Sequence, residues 1–287
     1  MNRILLTGAA GLLGKRVIRK LILKDFEVFT LTRNPFPVEG AQNIIIDLSR
    51  PWEFSKLPPF IDVVIHLAQS NHFKDFPSYA SDIFNVNVSS SVYLLEYARS
   101  ANAKLFVYTS TGGVYGHSNK PFYEYQATQL TLPNNFYFRS KWCTETLIYN
   151  YNRFFNTVIF RPFFIYGKEQ QRTMLIPRLF DSVKNNTPVV LNGENGITIN
   201  PIHVSDASDA FLCALSLEDS WTINIAGPEL LSIRDICDSF GNYLGMEPKY
   251  SLTENSSSDL VGDISVMKEL LMNPHRKLAD HLEDIEN

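Results

Sequence analysis

An apolar segment, Arg3–Thr7, runs directly into the sequence Gly8-Ala9-Ala10-Gly11-Leu12-Leu13-Gly14 near the start of the chain. The residues that follow are amphipathic and predict a helix, so the glycines lie in a strand-to-helix turn. In such a turn Gly8 permits a tight bend, Gly11 lets the backbone approach a bound pyrophosphate, and Gly14 lets the helix pack closely on the strand. The free amides and the dipole at the start of a helix favour an anion. The segment therefore predicts a dinucleotide-binding turn.

Strand-like and helix-like segments alternate from this turn to about residue 160. The strand-like segments are short, rich in Val, Ile and Phe, and lack polar alternation, which is typical of parallel strands covered on both faces. This repetition predicts an α/β fold with a doubly wound parallel sheet and right-handed crossovers. The predicted strands are Arg3–Thr7, Glu27–Leu31, Asn43–Ile46, Val63–Leu67, Lys104–Thr109 and Thr157–Phe160, and the predicted helices are Leu12–Lys24, about Ser78–Ser100 and about Tyr137–Phe154.

The regular alternation of strand-like and helix-like segments ends after Gly167, and the segments that follow predict a smaller C-terminal α/β lobe. Residues 1–167 are predicted to form the dinucleotide-binding domain, with a returning segment at about 197–226. Residues 168–196 and 227–287 are predicted to form a substrate-binding lobe. The predicted elements of this half are helices at Met174–Lys184, Ser205–Leu217 and Ser232–Leu244, strands at Pro188–Leu191 and Thr222–Ile225, and a loop at Glu254–Asp259.

Composition and charge narrow the class of protein. Hydrophobic residues make up 45% and charged residues 20% of the chain, which predicts a globular protein and excludes a disordered or collagen-like one. A formal net charge of −4 without a basic block argues against nucleic-acid or polybasic membrane binding. No apolar run reaches the roughly 18 residues that a membrane span needs. The widely spaced Cys143, Cys213 and Cys237, with six scattered histidines, predict neither a metal site nor a disulfide framework. With no signal-peptide pattern at its start, we expect a cytoplasmic protein.

The end of the second predicted strand bears on which dinucleotide binds. An NAD site usually offers an acidic residue there to the adenosine ribose, but this chain has Leu31-Thr32-Arg33. Arg33 could bind a 2′-phosphate through charge-assisted hydrogen bonds, or it could be a solvated surface residue. The sequence therefore favours NADP and leaves NAD open.

A pair of residues with complementary chemistry opens the third predicted helix. Tyr137 and Lys141 are four residues apart, so they share one helical face. An ammonium group stabilises a nearby phenolate and would bring the tyrosine pKa toward the range of a general acid or base. The hydroxyl-rich segment Tyr108–Gly113 ends a predicted strand at the carboxyl edge of the sheet, where ligands of doubly wound folds bind. These residues predict a catalytic cleft.

Further motifs follow one another along the chain. They are Asp47-Leu48, Val64-Ile65-His66-Leu67-Ala68, Asn87 with Leu94-Leu95-Glu96, the TSTGGVYG run ending at Gly116, Glu145, Arg161-Pro162-Phe163, Tyr166-Gly167, Ile202-His203-Val204-Ser205-Asp206 and Asp263-Ile264-Ser265. With the glycine-rich turn and the Tyr137/Lys141 pair, they resemble the NAD-dependent epimerase/dehydratase family of extended short-chain dehydrogenase/reductases, which acts largely on nucleotide sugars. The resemblance runs from Arg3 to about Pro274 and implies a Rossmann-type sheet with a smaller substrate lobe.

The resemblance implies a role for each matching position. Tyr137 would be the catalytic acid/base, Lys141 would lower its pKa and bind the nicotinamide ribose, and Thr111 would bind the reacting oxygen. No metal is expected. The cofactor-binding residues would be Gly8, Ala10, Gly11, Leu12, Leu13, Gly14, Arg33, Asp47, Leu48, Leu67, Ala68, Gln69, Thr109, Tyr137, Lys141, Pro162, Phe163 and Phe164. The substrate-binding residues would be Ser70, Thr111, Gly112, Phe164, Arg172 and Arg178.

Departures from the family pattern narrow the chemistry. The family's 4,6-dehydratases carry an acidic pair directly after the catalytic Thr, where this chain has Gly112-Gly113, so water elimination is not expected. The segment Gly196–Pro201 also lacks the arginine that often binds a diphosphate. The sequence favours NADP(H)-dependent reduction of a nucleotide-linked 4-keto sugar. The alternatives are an NAD-dependent nucleotide-sugar 4-epimerase, a reductase of a non-nucleotide carbonyl compound and a non-catalytic dinucleotide sensor.

Self-association is a further expectation left open by the sequence. Family members often dimerise through the helix that carries the Tyr/Lys pair and the helix before it. Here those helices carry Tyr93, Tyr97, Trp142 and Tyr149, which could form a homodimer interface or pack against their own sheet.

Overall fold

The computed structural model describes residues 2–116, 118–126, 135–254 and 258–286. The predicted loop at Glu254–Asp259 lies partly outside the described residues. The strands are β1 (Arg3–Thr7), β2 (Glu27–Thr32), β3 (Ala41–Ile45), β4 (Val63–His66), β5 (Leu105–Thr109), β6 (Asn156–Pro162), β7 (Ile165–Tyr166), β8 (Val189–Asn192), β9 (Thr198–Ile199), β10 (Ile202–His203), β11 (Trp221–Ile225), β12 (Leu231–Ser232) and β13 (Tyr250–Thr253). The α-helices are α1 (Leu12–Ile22), α2 (Ala80–Phe84), α3 (Ser90–Ser100), α4 (Phe136–Ile148), α5 (Leu175–Lys184), α6 (Val204–Cys213), α7 (Ile233–Leu244), α8 (Ser265–Leu270) and α9 (Glu283–Glu286).

Contacts group the chain into two compact units. One comprises Met1–Val114, Thr131–Arg161 and Ser208–Ile223, and the other comprises Tyr115–Leu130, Pro162–Ala207 and Asn224–Asn287. The predicted boundaries differ from these units at several positions. They assigned residues 115–130 and 162–167 to the dinucleotide-binding domain, and they began the returning segment near 197. The assignment of substrate binding to the second unit stays a prediction.

The first unit contains a seven-stranded sheet in the order β11-β6-β5-β4-β1-β2-β3, which confirms the predicted doubly wound α/β fold. The pairings among β1 to β6 are parallel. The central strands are buried throughout, as in Val63–His66, because helices cover both faces of the sheet. Helix α1 presents Leu13, Val17 and Leu21 to the core at helical spacing. The carboxyl ends of β1, β4 and β5 therefore meet at one edge.

The predicted helix over Ser78–Ser100 is interrupted by a π-helical turn at Asn85–Ser89 between α2 and α3. The turn places the backbone carbonyl of Asn87 so that it accepts side-chain hydrogen bonds from Ser91 at 2.7 Å and from Thr144 at 2.8 Å. Pattern alone predicts a continuous helix here, because the wider turn keeps the same apolar face.

The second unit contains short two-stranded ladders, β10 with β7, β12 with β9 and β13 with β8. Phe180 of α5 packs edge-on against Phe240 of α7, with ring centroids 5.2 Å apart, in its apolar core. Helix α7 begins with a capping box between Ser232 and Asp235 and ends at Gly245 in the left-handed conformation.

Within the part of the chain that the structure describes, every helix is too short or too polar to cross a membrane.

Candidate active site

The glycine-rich turn has the geometry that the sequence predicts. Gly8 has φ +73°, and a Cβ atom there would lie 2.8 Å from the backbone of Leu67 and Ala68. A Cβ atom at Gly14 would lie 2.8 Å from Cα of Ala9, so only glycine lets α1 pack on the turn at this distance. No side chain caps the start of α1, and its first turn holds no acidic residue. The turn and the uncapped amides fit a dinucleotide pyrophosphate.

Helix α4 carries the predicted catalytic pair. It begins after Asn135, whose side chain accepts a hydrogen bond from the backbone N–H of Phe138 at 3.1 Å. Tyr137 and Lys141 then point to the same side, with Nζ of Lys141 5.9 Å from the Tyr137 ring centroid. The structure thus brings together the two residues that the sequence pairs.

The ammonium group of Lys141 is buried at the end of β5. Its side chain is 1% exposed, and Nζ donates a hydrogen bond to the backbone oxygen of Thr109 at 2.8 Å. Burial lowers the pKa of Lys141 to about 7, and the charge of Glu145 opposes this shift. The Thr109 hydroxyl oxygen is also buried, and it has no hydrogen-bond partner among the described residues. Thr109 therefore keeps an unused polar group at a position predicted to bind the cofactor.

The phenol of Tyr137 is half-buried and donates a hydrogen bond to Oε1 of Gln69 at 2.8 Å. The rings of Phe73 and Phe138 pack beside it, with centroids 5.2 Å and 5.6 Å away. Burial raises the pKa of Tyr137 above its ordinary value. Burial therefore dominates the pKa of Tyr137 in the protein alone, and the expectation that Lys141 lowers it stays a prediction.

Thr111 lies in the turn after β5 and is partly exposed. Its hydroxyl oxygen accepts a hydrogen bond from the backbone N–H of Gly113 at 3.2 Å, which leaves the hydroxyl proton free to be donated. A Cβ atom at Gly113 would lie 2.6 Å from Cδ1 of Phe138 and closer still to two other ring carbons. Gly112 is buried in the same turn. The ring of Phe138 thus occupies the space of any side chain at position 113.

A buried ion pair, which sequence reasoning did not identify, lies beneath this turn. Glu145 of α4 accepts hydrogen bonds from Nε of Arg161 at 3.2 Å and from Nη2 at 2.6 Å. The Ser110 hydroxyl donates to the same carboxylate. Both charged side chains are at most 5% exposed. The four-residue spacing from Lys141 to Glu145 was the available signal, since it repeats the face that carries Tyr137.

Asn87 connects the loop after β4 to the catalytic helix. Its Oδ1 accepts a hydrogen bond from the Ser70 backbone N–H at 3.0 Å, and its Nδ2 donates to the Ser140 hydroxyl at 2.9 Å. Ser140 in turn donates to the backbone oxygen of Tyr137 at 2.7 Å. Asn87 is fully buried, and the amide therefore fixes both sides of the site.

Ser70 was predicted to bind substrate, and the structure bonds its hydroxyl within the protein. Its hydroxyl donates to the carboxylate of Asp82 and accepts a hydrogen bond from the backbone N–H of His72 at 3.0 Å. Because the residue is 1% exposed, these bonds give it a structural role in the loop.

The predicted adenosine end of the site lies at β2 and β3. The Thr32 hydroxyl donates to the backbone oxygen of Asn34 at 2.8 Å and accepts from Nδ2 of Asn43 at 2.8 Å. Arg33 is exposed. Burial acts to raise the pKa of Asp47, but hydrogen bonds from Ser49 and the charges of Arg33 and Arg50 lower it overall.

The remaining predicted cofactor residues of the first unit follow the sheet edge. Ala10 is exposed in the turn and Leu12 is partly exposed, whereas Leu13 is buried. Leu67 and Ala68 are partly exposed after β4, and Leu48 is buried in the core.

Three residues of the second unit were also predicted to bind the cofactor. Phe163 is 1% exposed, and its ring fills the space beside Gly262. Phe164 has φ +49° and packs against the core of the unit, and Pro162 is partly exposed. The ring of Phe163 therefore belongs to the apolar core, and its contact with the cofactor stays a prediction.

Arg172 was predicted to bind substrate, and the structure pairs its guanidinium with groups of the protein. Its guanidinium donates to Asp181 from Nε at 2.9 Å and from Nη2, and to the backbone oxygen of Ile285. These bonds hold the C-terminal segment, so the side chain is already used. Arg178 is exposed on α5 and stays a prediction.

Two of the tyrosines considered for a dimer interface, Tyr93 and Tyr149, are partly exposed, at 39% and 46%. Tyr97 is buried, and its hydroxyl donates to the backbone oxygen of Pro58 at 2.8 Å, so it belongs to the core of its own chain. The homodimer stays a prediction.

The chain is similar to a known protein family and to individual proteins of known sequence. The model of the NAD dependent epimerase/dehydratase family matches residues 4–226. A dTDP-D-glucose 4,6-dehydratase of Mus musculus is 29% identical over 236 residues, which are 75% of this chain and 65% of that protein. The chain thus spans less than two thirds of that relative. A GDP-6-deoxy-D-talose 4-dehydrogenase of Aggregatibacter actinomycetemcomitans is 30% identical over 228 residues, 78% of this chain and 74% of that protein.

A solved structure is similar over nearly the whole chain. It is the UDP-glucuronic acid 4-epimerase of Bacillus cereus in complex with UDP-glucuronic acid and NAD. The TM-score is 0.85 at 25% identity, and the alignment covers 99% of this chain and 98% of that one. Since the family model matches most of the chain, the protein belongs to the NAD-dependent epimerase/dehydratase family.

Proposed function

We propose that the protein is an NAD-dependent 4-epimerase of a nucleoside-diphosphate sugar. The observation that carries the proposal is the face of α4, where Tyr137 and Lys141 lie at the carboxyl end of β5 beside a turn in which Gly113 has no room for a side chain. The similarity to a 4-epimerase bound to NAD over nearly the full chain supports it.

Three residues of the first unit would each have a defined role in this reaction. When bound, the nicotinamide ring accepts a hydride and gives it back. Tyr137 takes the proton of the sugar hydroxyl as the hydride leaves carbon 4, and it returns the proton to the oxygen when hydride comes back to the other face. The free hydroxyl proton of Thr111 binds that oxygen in both steps. Buried Lys141 supplies positive charge beside the phenol.

Dehydration is not proposed, although the mouse relative is named a 4,6-dehydratase. Elimination of water needs an acid that protonates the leaving hydroxyl. The positions that follow Thr111 are glycines, and Phe138 closes the second of them to any side chain. Hydride transfer without elimination therefore fits the site better.

A second candidate is the NADPH-dependent reduction of a nucleotide-linked 4-keto sugar. The observation that favours it is the end of β2, where the Thr32 hydroxyl is already bonded to Asn34 and Asn43. The segment Leu31-Thr32-Arg33 contains no carboxylate for a ribose, and the exposed guanidinium of Arg33 suits a 2′-phosphate.

Two measurements on the purified protein separate the two candidates: which dinucleotide it retains, and which reaction it catalyses. An epimerase is expected to retain NAD that is released only by denaturation, and to interconvert the C4 epimers of one sugar in a UDP-, dTDP-, GDP- and CDP-sugar panel without net consumption of dinucleotide. The reductase predicts exchangeable NADPH, bound far more tightly than NADH, with that preference lost in Arg33→Ala. Tyr137→Phe is expected to nearly abolish turnover and to leave dinucleotide binding intact. Full activity of this variant would refute both candidates.

A further inference from the structure

We propose that Gln69 is a positioning residue whose carboxamide hydrogen-bonds to the Tyr137 hydroxyl in both its protonated and its deprotonated form. The proposal rests on the acid/base role of Tyr137 in the proposed function. Its starting point is the hydrogen bond of 2.8 Å from Oη of Tyr137 to Oε1 of Gln69.

The backbone on both sides of Gln69 is fixed to buried groups. The N–H of Ala68 donates to the hydroxyl of Thr7 at 3.2 Å, and the N–H of Ser70 donates to Oδ1 of Asn87 at 3.0 Å. Thr7 and Asn87 are both fully buried. The side chain of Gln69 is therefore exposed while its backbone is fixed, so the carboxamide can hold a defined position next to the Tyr137 hydroxyl.

The same buried amide also anchors the partner of Gln69. Asn87 donates to Ser140, and Ser140 donates to the backbone oxygen of Tyr137. The ring of Phe73, from the loop that carries Gln69, packs against the Tyr137 ring at 5.2 Å. The two ends of the hydrogen bond thus share one support, which is the arrangement expected of a fixed pair.

A carboxamide suits a group that alternates between phenol and phenolate. Its oxygen accepts a hydrogen bond from the phenol, and after a half-turn of the terminal group its N–H donates to the phenolate. Hydrogen bonds to an ionised oxygen are roughly twice as strong as neutral ones. Loss of the carboxamide therefore costs the phenolate more than the phenol, and we expect it to raise the Tyr137 pKa by about one unit.

Among the described residues, the titratable groups near Tyr137 have the following partners. Lys141 on α4 lies 5.9 Å from the ring centroid and donates to a backbone oxygen, and Tyr108 of β5 lies near the phenol. On the loop that carries Gln69, His72 pairs with Asp75 at 3.0 Å and Lys74 lies over the Phe73 ring.

Site-resolved nitration by tetranitromethane tests the inference without substrate or cofactor, because the reagent attacks phenolate. Gln69→Met keeps the length of the side chain and removes the N–H donor. Nitration of Tyr137 at pH 8 is expected to fall about tenfold, the equivalent of one pKa unit. Tyr125, which is 83% exposed, serves as the internal reference. Gln42→Met, at an exposed position of β3, should change nothing. An unchanged or faster rate at Tyr137 would overturn the inference.

A kinetic experiment adds a readout that a purely structural role would not move. In single-turnover oxidation of the sugar, Gln69→Met should shift the pH profile upward by about one unit and approach the wild-type rate at high pH. Gln69→Glu, which keeps an acceptor but has no donor at pH 8, should shift it further. An equal loss of rate at every pH would contradict the positioning role. If the wild-type protein oxidises no nucleotide sugar, the proposed function fails while the nitration result still decides this inference.

Discussion

Replacing Lys141 with methionine should change how the stability of the protein depends on pH. The ammonium group is buried, and its pKa in the folded protein is about 7 against an ordinary value of 10.5. Between these values the unfolded chain binds more protons than the folded one. Stability therefore rises with pH across this window, and the gain is lost as pH falls toward 7.

The size of the effect follows from the two pKa values. Keeping Lys141 in the folded protein costs about 4 kcal/mol at pH 7 and about 2 kcal/mol at pH 9. The free energy of unfolding of the wild-type protein should therefore rise by about 2 kcal/mol relative to Lys141→Met over this range. At pH 7 the variant should be the more stable of the two, less the contribution of the hydrogen bond to Thr109, which is about 1 kcal/mol.

Urea unfolding followed by circular dichroism, at half-unit steps from pH 7 to 9, measures this difference. Any retained dinucleotide must first be removed by unfolding the protein and refolding it without the cofactor, because a bound ligand adds its own stabilisation. Taking the difference between the two proteins at each pH cancels the titration of cysteines and tyrosines. Lys56→Met, at an exposed position, serves as the matched control and should run parallel to wild type. Parallel curves for Lys141→Met and wild type would refute a depressed lysine pKa.

Two further predictions concern packing around the site. Gly113→Ala should lower the free energy of unfolding by about 1–3 kcal/mol, because the new methyl group collides with the Phe138 ring, and adding Phe138→Leu should recover part of the loss in the same urea assay. A double variant no more stable than Gly113→Ala would show that the ring is not the obstacle. Glu145→Gln should cost about 3–5 kcal/mol at pH 7, since it leaves the buried guanidinium of Arg161 uncompensated and weakens the bond from Ser110. A loss below about 1 kcal/mol in thermal or urea unfolding would mean that Arg161 is satisfied without the carboxylate.

The sequence predicts best the features that local residues determine. The glycine-rich turn at Gly8–Gly14 needs φ > 0 and close backbone approach, and its residue types show this directly. Helix α4 begins at Phe136, one residue before its predicted start at about Tyr137, because the Asn135 side chain caps its first turn. Most strands of the first unit are recognisable because they are short apolar runs. Strand β3 (Ala41–Ile45) is less distinct because it contains Gln42 and Asn43, and it begins two residues before the predicted strand.

The contacts that the sequence does not predict involve partners far away in the chain. Arg172 reads as a free cation in sequence, but it is held by the backbone of Ile285. Phe163 reads as a cleft residue, but Gly262 leaves space that its ring fills. No local sequence pattern predicts such contacts, because they form only when the chain folds.

The same limit applies to the turn after β5. The sequence shows that Gly112 and Gly113 lack carboxylates, which was enough to argue against dehydration. It does not show that Phe138 occupies the vacant space. An acidic side chain at Gly113 would therefore require the Phe138 ring to move.

The place of β11 at the edge of the sheet has a consequence for synthesis of the protein. Strand β6 lies next to it, and Val158, Ile159 and Phe160 are fully buried there. Phe160 also packs edge-on against Phe211, with ring centroids 4.6 Å apart. Both partners leave the ribosome some fifty or more residues after β6. Until they arrive, the nascent chain presents an apolar strand with open hydrogen-bonding groups, which is the kind of edge that recruits chaperones or other chains. Fragments that end near residue 167 retain that open edge permanently.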